Sequence, residues 1–165
     1  MNVKIHIYLM LICLNIFFSI HAQTGIAGNE QYNSYEKCIY IDNLAQKLTP
    51  DIFVSTYYSK LKTSDSKASQ VIDTTRKKRE VYIRTKKARN GYLFVNEIIM
   101  GKIKDLDCNL DKLKVSYVYN NRTVTTKEDV MRVIKLRKKN IQISEILYDE
   151  QLGVIIVYVF DNSTD

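Results

Sequence analysis

The chain has 165 residues, with 25 Lys or Arg against 18 Asp or Glu, a net charge of +7, two histidines, three cysteines, twelve tyrosines and no tryptophan. That length suits one ordinary domain, and five glycines scattered singly exclude a glycine-rich loop that could cradle phosphates. The basic balance fits contact with anionic surfaces such as lipopolysaccharide or phospholipid headgroups, although charge alone establishes no partner.

Residues 1–22, MNVKIHIYLMLICLNIFFSIHA, read as a secretory signal peptide: Lys4 supplies the positive start, Ile5 to Ile20 is almost wholly apolar, and Ala22 is the small residue at the cleavage point. The apolar run is short for a membrane span of about 20 residues. Cys13 follows Leu11-Ile12, not the small residues of a lipoprotein site. Cleavage after Ala22 leaves 143 residues with a charge of +6 and removes His6 and His21, the only histidines. A mature chain without histidine excludes a Ser-His-Asp triad, a Cys-His pair, an HExxH zinc site and imidazole acid–base catalysis. The expectation is therefore an exported protein with no catalytic residues, no cofactor and no bound metal. Export argues against chromosomal DNA, so no nucleic-acid partner is expected. Carboxylate-based hydrolysis stays open, because any two of the 18 acids could meet in space. Cys38 and Cys108 remain; in an oxidising compartment they read as a disulfide pair, worth about 3 to 5 kcal/mol on chain-entropy grounds, with two buried free thiols as the alternative.

Residues 23–34 are small and polar and read as a flexible leader, with one domain over 35–165. Tyr35, Cys38, Ile39, Ile41, Leu44, Ala45 and Leu48 recur at intervals near three and four, which predicts a helix, although KCIYI also suits a strand. Thr49-Pro50-Asp51 supplies an N-cap, a first-turn proline and an acid for a second helix with the stripe Phe53, Val54, Tyr57, Tyr58 and Leu61. Thr63 to Ser69 reads as an exposed loop. Val81 to Thr85 and Tyr92 to Val95 are predicted to pair as a hairpin through KKARNG, with Asn90-Gly91 at its tip.

Asp105, Asp107, Asn109 and Asp111 alternate like the start of a calcium loop, but Leu110 and Ser116 stand where that loop needs glycine and glutamate, so a polar linker is expected. Lys114 to Tyr119 alternates as a strand, Asn120-Asn121 makes a turn, and Arg122 to Val124 begins a return. Thr125-x-x-Glu128 has capping-box spacing and opens a helix faced by Val130, Met131, Val133 and Ile134, with Lys135, Arg137, Lys138 and Lys139 at its negative end. Ile141 to Tyr148 reads as a strand, Asp149 to Gly153 as a turn, and Val154 to Phe160 as a central strand. No internal repeat is visible. The fold class is α+β: a small mixed or antiparallel sheet with helices on one face, ending in a β-α-β-β unit.

Arg76, Lys77, Lys78, Arg79, Arg84, Lys86, Lys87 and Arg89 form the strongest charge feature, opposed within the run only by Glu80. They read as an anion- or partner-binding face, as a solvated hairpin edge that discourages strand aggregation, or, in a eukaryotic secretory pathway, as a processing site after Arg79. Asn121-Arg122-Thr123 and Asn162-Ser163-Thr164 are glycosylation sequons relevant only in that last setting. Tyr57-Tyr58, beside the basic run, reads as core and rim.

The stretch VSYVYNNRTVTTKEDV followed by KKNIQISEILYDEQLGVIIVYV, from Val115 to Val159, resembles the last part of the plug domain of Bacteroidota TonB-dependent outer-membrane receptors. In that family a strand and tight turn lead to a short helix, then an Ile-x-x-Ile strand, then a glycine-led apolar strand. The corresponding parts are Tyr117 to Asn121, Lys127 to Ile134, Ile143 with Ile146, and Gly153 to Val157. The family's alanine-rich stretch is missing between Tyr148 and Gly153, and no barrel sequence follows. The resemblance implies a plug-like periplasmic module and not transport. The functional expectation is a non-enzymatic accessory protein of the bacterial cell envelope, in the periplasm or at the outer membrane, with a protein partner there and contact with anionic membrane or lipopolysaccharide. The alternatives are an exported carboxylate hydrolase acting on glycans, and a secreted extracellular eukaryotic factor processed after Arg79.

Overall fold

The computed structural model describes residues 34–104 and 113–162. The signal segment, the leader up to residue 33, the set Asp105, Asp107, Asn109 and Asp111, Cys108, and Ser163-Thr164 of the second sequon lie outside the described residues. The described chain is α+β, with eight strands in two four-stranded mixed sheets and three α-helices.

The first sheet begins with β1 (Glu36–Ile41), which turns through Asp42-Asn43 into the two-residue β2 (Leu44–Ala45). Both turn residues have positive φ, 49° and 68°. Asp and Asn tolerate that region, and two such residues match the twist of a tight hairpin. α1 (Asp51–Thr56) follows, and then β3 (Ser66–Asp73) and β4 (Lys78–Thr85) form a hairpin. β4 lies parallel beside β1, giving the order β2-β1-β4-β3. The second sheet repeats this arrangement. β5 (Lys114–Tyr119) turns through Asn120-Asn121, at φ 47° and 64°, into β6 (Arg122–Thr123). α3 (Lys127–Ile134) then leads to the hairpin of β7 (Ile141–Asp149) and β8 (Val154–Asp161), and β8 is parallel to β5. Between the two units runs α2 (Asn90–Lys104).

The described residues thus form two ββαββ units joined by α2, a repeat of structure that the sequence does not display. The correspondence reaches individual hydrogen bonds. Asp42 N–H donates to the Ile83 carbonyl at 2.8 Å, and Asn120 N–H to the Val159 carbonyl at 3.0 Å. Thr85 N–H donates to Asp42 Oδ1 at 2.8 Å, and Asp161 N–H to Asn120 Oδ1 at 2.9 Å. In the β3–β4 and β7–β8 turns, Asp73 and Asp149 accept from the N–H of Arg76 and Leu152, and Lys77 and Gly153 take positive φ just before the last strand. The extra residue of β7 is absorbed at a register shift between Ile143 and Glu145. Such a repeat is hidden in the sequence because equivalent positions need share only burial or turn conformation, not identity.

Three expectations are corrected. Tyr35 to Leu48 is β1 and β2, not a helix: positive φ at Asp42 and Asn43 breaks any helical run, and the hydrogen bonds that hold β1 come from β4, some forty residues on. Thr63 to Ser69 is a short 3-10 turn followed by the start of β3, the true hairpin partner of β4. Tyr92 to Val95 belongs to α2, where Tyr92, Val95, Asn96, Ile99 and Ile103 are buried at three- and four-residue intervals. Two helix starts shift by a residue. Pro50 precedes α1, its carbonyl accepting from Phe53 and Val54 N–H, and Thr126 rather than Thr125 caps α3, accepting from Asp129 N–H at 3.2 Å.

One core serves both sheets. Ile83 of β4 and Ile155, Val157 and Val159 of β8 point into it, with Phe53 of α1, Tyr92 and Ile99 of α2, and Val130, Val133 and Ile134 of α3. β8 is an inner strand, between β5 and β7, as its apolar sequence predicts. Among the described residues no helix is long and apolar enough to cross a membrane.

Candidate functional site: a basic cleft where the units meet

β4 splits the basic run by position. Arg76, Lys77 and Lys78 sit at the β3–β4 turn, where Arg76 pairs with Asp73 at 3.8 Å and Lys78 with Glu36 at 3.5 Å. Arg79 points to the inner side of the sheet, only 6% exposed, and its Nε donates to Gln70 Oε1 at 3.0 Å. Cleavage after Arg79 would require β4, hydrogen-bonded on both edges, to leave its sheet. Arg84, Lys86, Lys87 and Arg89 lie at the other end, about 20 Å away at 3.3 Å per strand residue.

At that end the loop after β4 packs on the segment after α3, and the two form a cleft of about 480 Å³ lined by Arg84, Ala88, Arg89, Asn90, Arg137, Lys138 and Lys139. Five cations line it and no carboxylate does. The walls are fixed by backbone: Arg89 N–H donates to the Ile134 carbonyl at 2.9 Å, Gly91 N–H to the Leu136 carbonyl at 3.0 Å, and Asn90 Oδ1 accepts from Lys138 N–H at 3.2 Å. Lys138 Nζ rests 4.0 Å from the centre of the Phe94 ring, a cation–π contact that holds its stem in place. Asn90-Gly91 is therefore not a hairpin tip. Gly91 is required because a Cβ there would lie 2.6 Å from the Leu136 carbonyl oxygen, so only glycine lets the start of α2 approach this closely.

Arg84 also stands directly opposite Lys67 in the β3–β4 register, on the exposed face. Like charges placed so are destabilising. Among the described residues neither cation has an ion pair. Next to them the same face carries Tyr40 stacked on Tyr82, ring centres 5.0 Å apart, in a smaller cavity with Asn43 and Ser69. Tyr82 donates to Glu80 at 2.6 Å, and that bond raises its phenol to about 12.

Of the candidates marked by sequence, Arg84 and Arg89 enter the cleft. Lys86 and Lys87 lie on the loop between them without lining it, and Arg76, Lys77, Lys78 and Arg79 are elsewhere. Arg137, Lys138 and Lys139 carry only a helix-end role in the sequence, since nothing along the chain signals their meeting with a loop 48 residues earlier. Cys38 is half-buried on β1, and burial, with Glu36 close by, pushes its thiol up.

Behind the cleft lies a polar network that sequence reasoning misses. Asp42 is fully buried, its carboxylate accepting from Thr85 N–H and Oγ1, both at 2.8 Å, and from Tyr58 OH at 3.1 Å. Tyr58 and Tyr92 hydroxyls meet at 3.0 Å, and Tyr57 donates to Thr85 at 2.8 Å. Asn96 Nδ2 donates to the Asp42 carbonyl at 2.7 Å while its Oδ1 accepts from Tyr117 OH. Tyr57 and Tyr58 are thus both core residues. The available signal was the tyrosine excess combined with an Asp-Asn turn between apolar residues. Burial raises the Asp42 carboxyl above its ordinary value, offset in part by the Thr85 and Tyr58 hydrogen bonds and the more distant charge of Arg84.

A raised folded-state value means that the native state takes up this proton first as pH falls. The resulting stability is complete below the unfolded value of about 3.9 and is lost as pH rises through the folded one. Asn120, the equivalent residue of the second unit, makes the same turn without a charge. Wild type should therefore gain stability relative to Asp42→Asn as pH is lowered from 7 to 4. Melting temperatures of both proteins across that range check this, and a constant gap would contradict it.

Comparison with family models, curated proteins and solved structures finds no match to this chain.

Proposed function

We propose that this protein is a non-enzymatic exported accessory module of the bacterial cell envelope, docking onto an outer-membrane or periplasmic assembly through the basic cleft. The observation that carries the reading is the cleft itself: five cations from two distant segments, locked together by backbone hydrogen bonds, with no carboxylate among the lining residues. Charge so arranged steers an acidic partner and fixes its orientation. The order of β5, a tight turn into the two-residue β6, α3, β7 and β8 supports the plug-like resemblance, and β1 to β4 carry the same order. On this reading the module has one plug-like unit, β5 to β8, a first unit of the same strand order, and one cleft between them.

Photocrosslinking in the native envelope tests this. A photoreactive residue at position 137 is expected to give one reproducible adduct with an envelope protein, weakened by Arg84→Glu and Arg89→Glu. Absence of any adduct would overturn the proposal.

A further inference from the structure

We infer that the cleft is a binding site for a terminal phosphate group, carried either by a soluble phosphate compound or by a membrane lipid headgroup. The inference rests on the docking face proposed above and names the chemistry it recognises. Arg84, Arg89 and Arg137 present planar guanidinium forks, the geometry that binds phosphate oxygens in pairs, and Lys138 and Lys139 add point charges. The 15-residue α2 starts at Asn90, which lines the same cleft, so the positive end of the helix dipole adds to the field.

A terminal phosphate carries about 1.5 to 2 negative charges and three acceptor oxygens. It answers a cluster of five cations better than a single carboxylate does. The cleft volume, about 480 Å³, lies within the range of small-molecule sites. The Arg84–Lys67 juxtaposition points the same way: two like charges face each other across the β3–β4 ladder, and a dianion bound at Arg84 relieves their repulsion.

The test is calorimetric titration of the full chain with inorganic pyrophosphate, phosphate and sulfate, and flotation with phosphatidylcholine vesicles doped with phosphatidic acid or with phosphatidylglycerol. One site per chain is expected for pyrophosphate, with sulfate at least tenfold weaker. Arg84→Ala with Arg137→Ala should weaken pyrophosphate at least tenfold, whereas Arg76→Ala with Lys78→Ala should leave it unchanged. Flotation with phosphatidic acid but not phosphatidylglycerol, competed by pyrophosphate, assigns the lipid source; pyrophosphate binding without flotation assigns the soluble one. Equal binding of phosphatidic acid and phosphatidylglycerol, loss through the turn variant instead of the cleft variant, or no pyrophosphate binding at millimolar concentration would overturn the inference. A crosslink from position 137 without pyrophosphate binding removes the phosphate site and leaves the docking face. Pyrophosphate binding without a crosslink does the reverse.

Discussion

Replacing Asn96 by alanine is expected to destabilise the protein by about 3 to 5 kcal/mol, because it takes a hydrogen-bond partner from each of two buried groups, worth about 1 to 3 kcal/mol apiece, and opens a small void. The groups are the Asp42 carbonyl in the β1–β2 turn and the Tyr117 hydroxyl on β5. Asn96 is fully buried on α2, so no water replaces the amide at low cost. It is also the residue through which the connecting helix holds one unit by its hairpin turn and the other by its inner strand. Tyr117→Phe removes one hydroxyl from the same network and should cost about 1 to 2 kcal/mol. In the Asn96→Ala background the same change should cost less, since the hydroxyl has already lost Asn96 and keeps only its contact with the Tyr92 hydroxyl. Chemical denaturation of the four proteins checks this, and additive losses would contradict it.

Gly91→Ala sets two effects of opposite sign against each other. Alanine gains about 1 kcal/mol over glycine inside a helix. The added Cβ would lie 2.6 Å from the Leu136 carbonyl oxygen and 2.8 Å from the Arg137 carbonyl carbon, and those are backbone atoms that cannot rotate away. Forced overpacking costs about 1 to 3 kcal/mol, and contact with backbone atoms places it toward the upper end, so the steric term wins and the net loss should be about 1 to 2 kcal/mol. The strain falls on the hydrogen bond from Gly91 to Leu136 that holds the two cleft walls together. The variant should therefore bind pyrophosphate less tightly even where it remains folded. Thermal denaturation gives the first effect and titration below the melting temperature the second. A fully stable variant with unchanged binding would contradict both.

The sequence was most legible where local signals and final contacts coincide. In the second unit an alternating strand, an Asn-Asn turn, a capped helix and an apolar strand led by Gly153 are all written in neighbouring residues, and they appear as β5 to β8. The first unit has the same plan with weaker signals. β1 carries an apolar spacing that also fits a helix, and what decides it is the parallel ladder with β4, far along the chain. YLFV is a continuous apolar run that serves a buried helix as well as a strand, and the need for Gly91 arises only where Leu136 packs against it. The same distance hid half of the cleft. Arg84 and Arg89 stand out in a linear run of charge, whereas Arg137, Lys138 and Lys139 join them only through the fold.

Photocrosslinking from both ends of β4 measures most directly whether the cleft is the surface that meets the partner. A photoreactive residue at position 137 should yield a specific envelope adduct, and one at position 76, in the β3–β4 turn, should yield none. An adduct from position 76 with none from position 137 would place the docking surface at the opposite end of the strand and contradict the account.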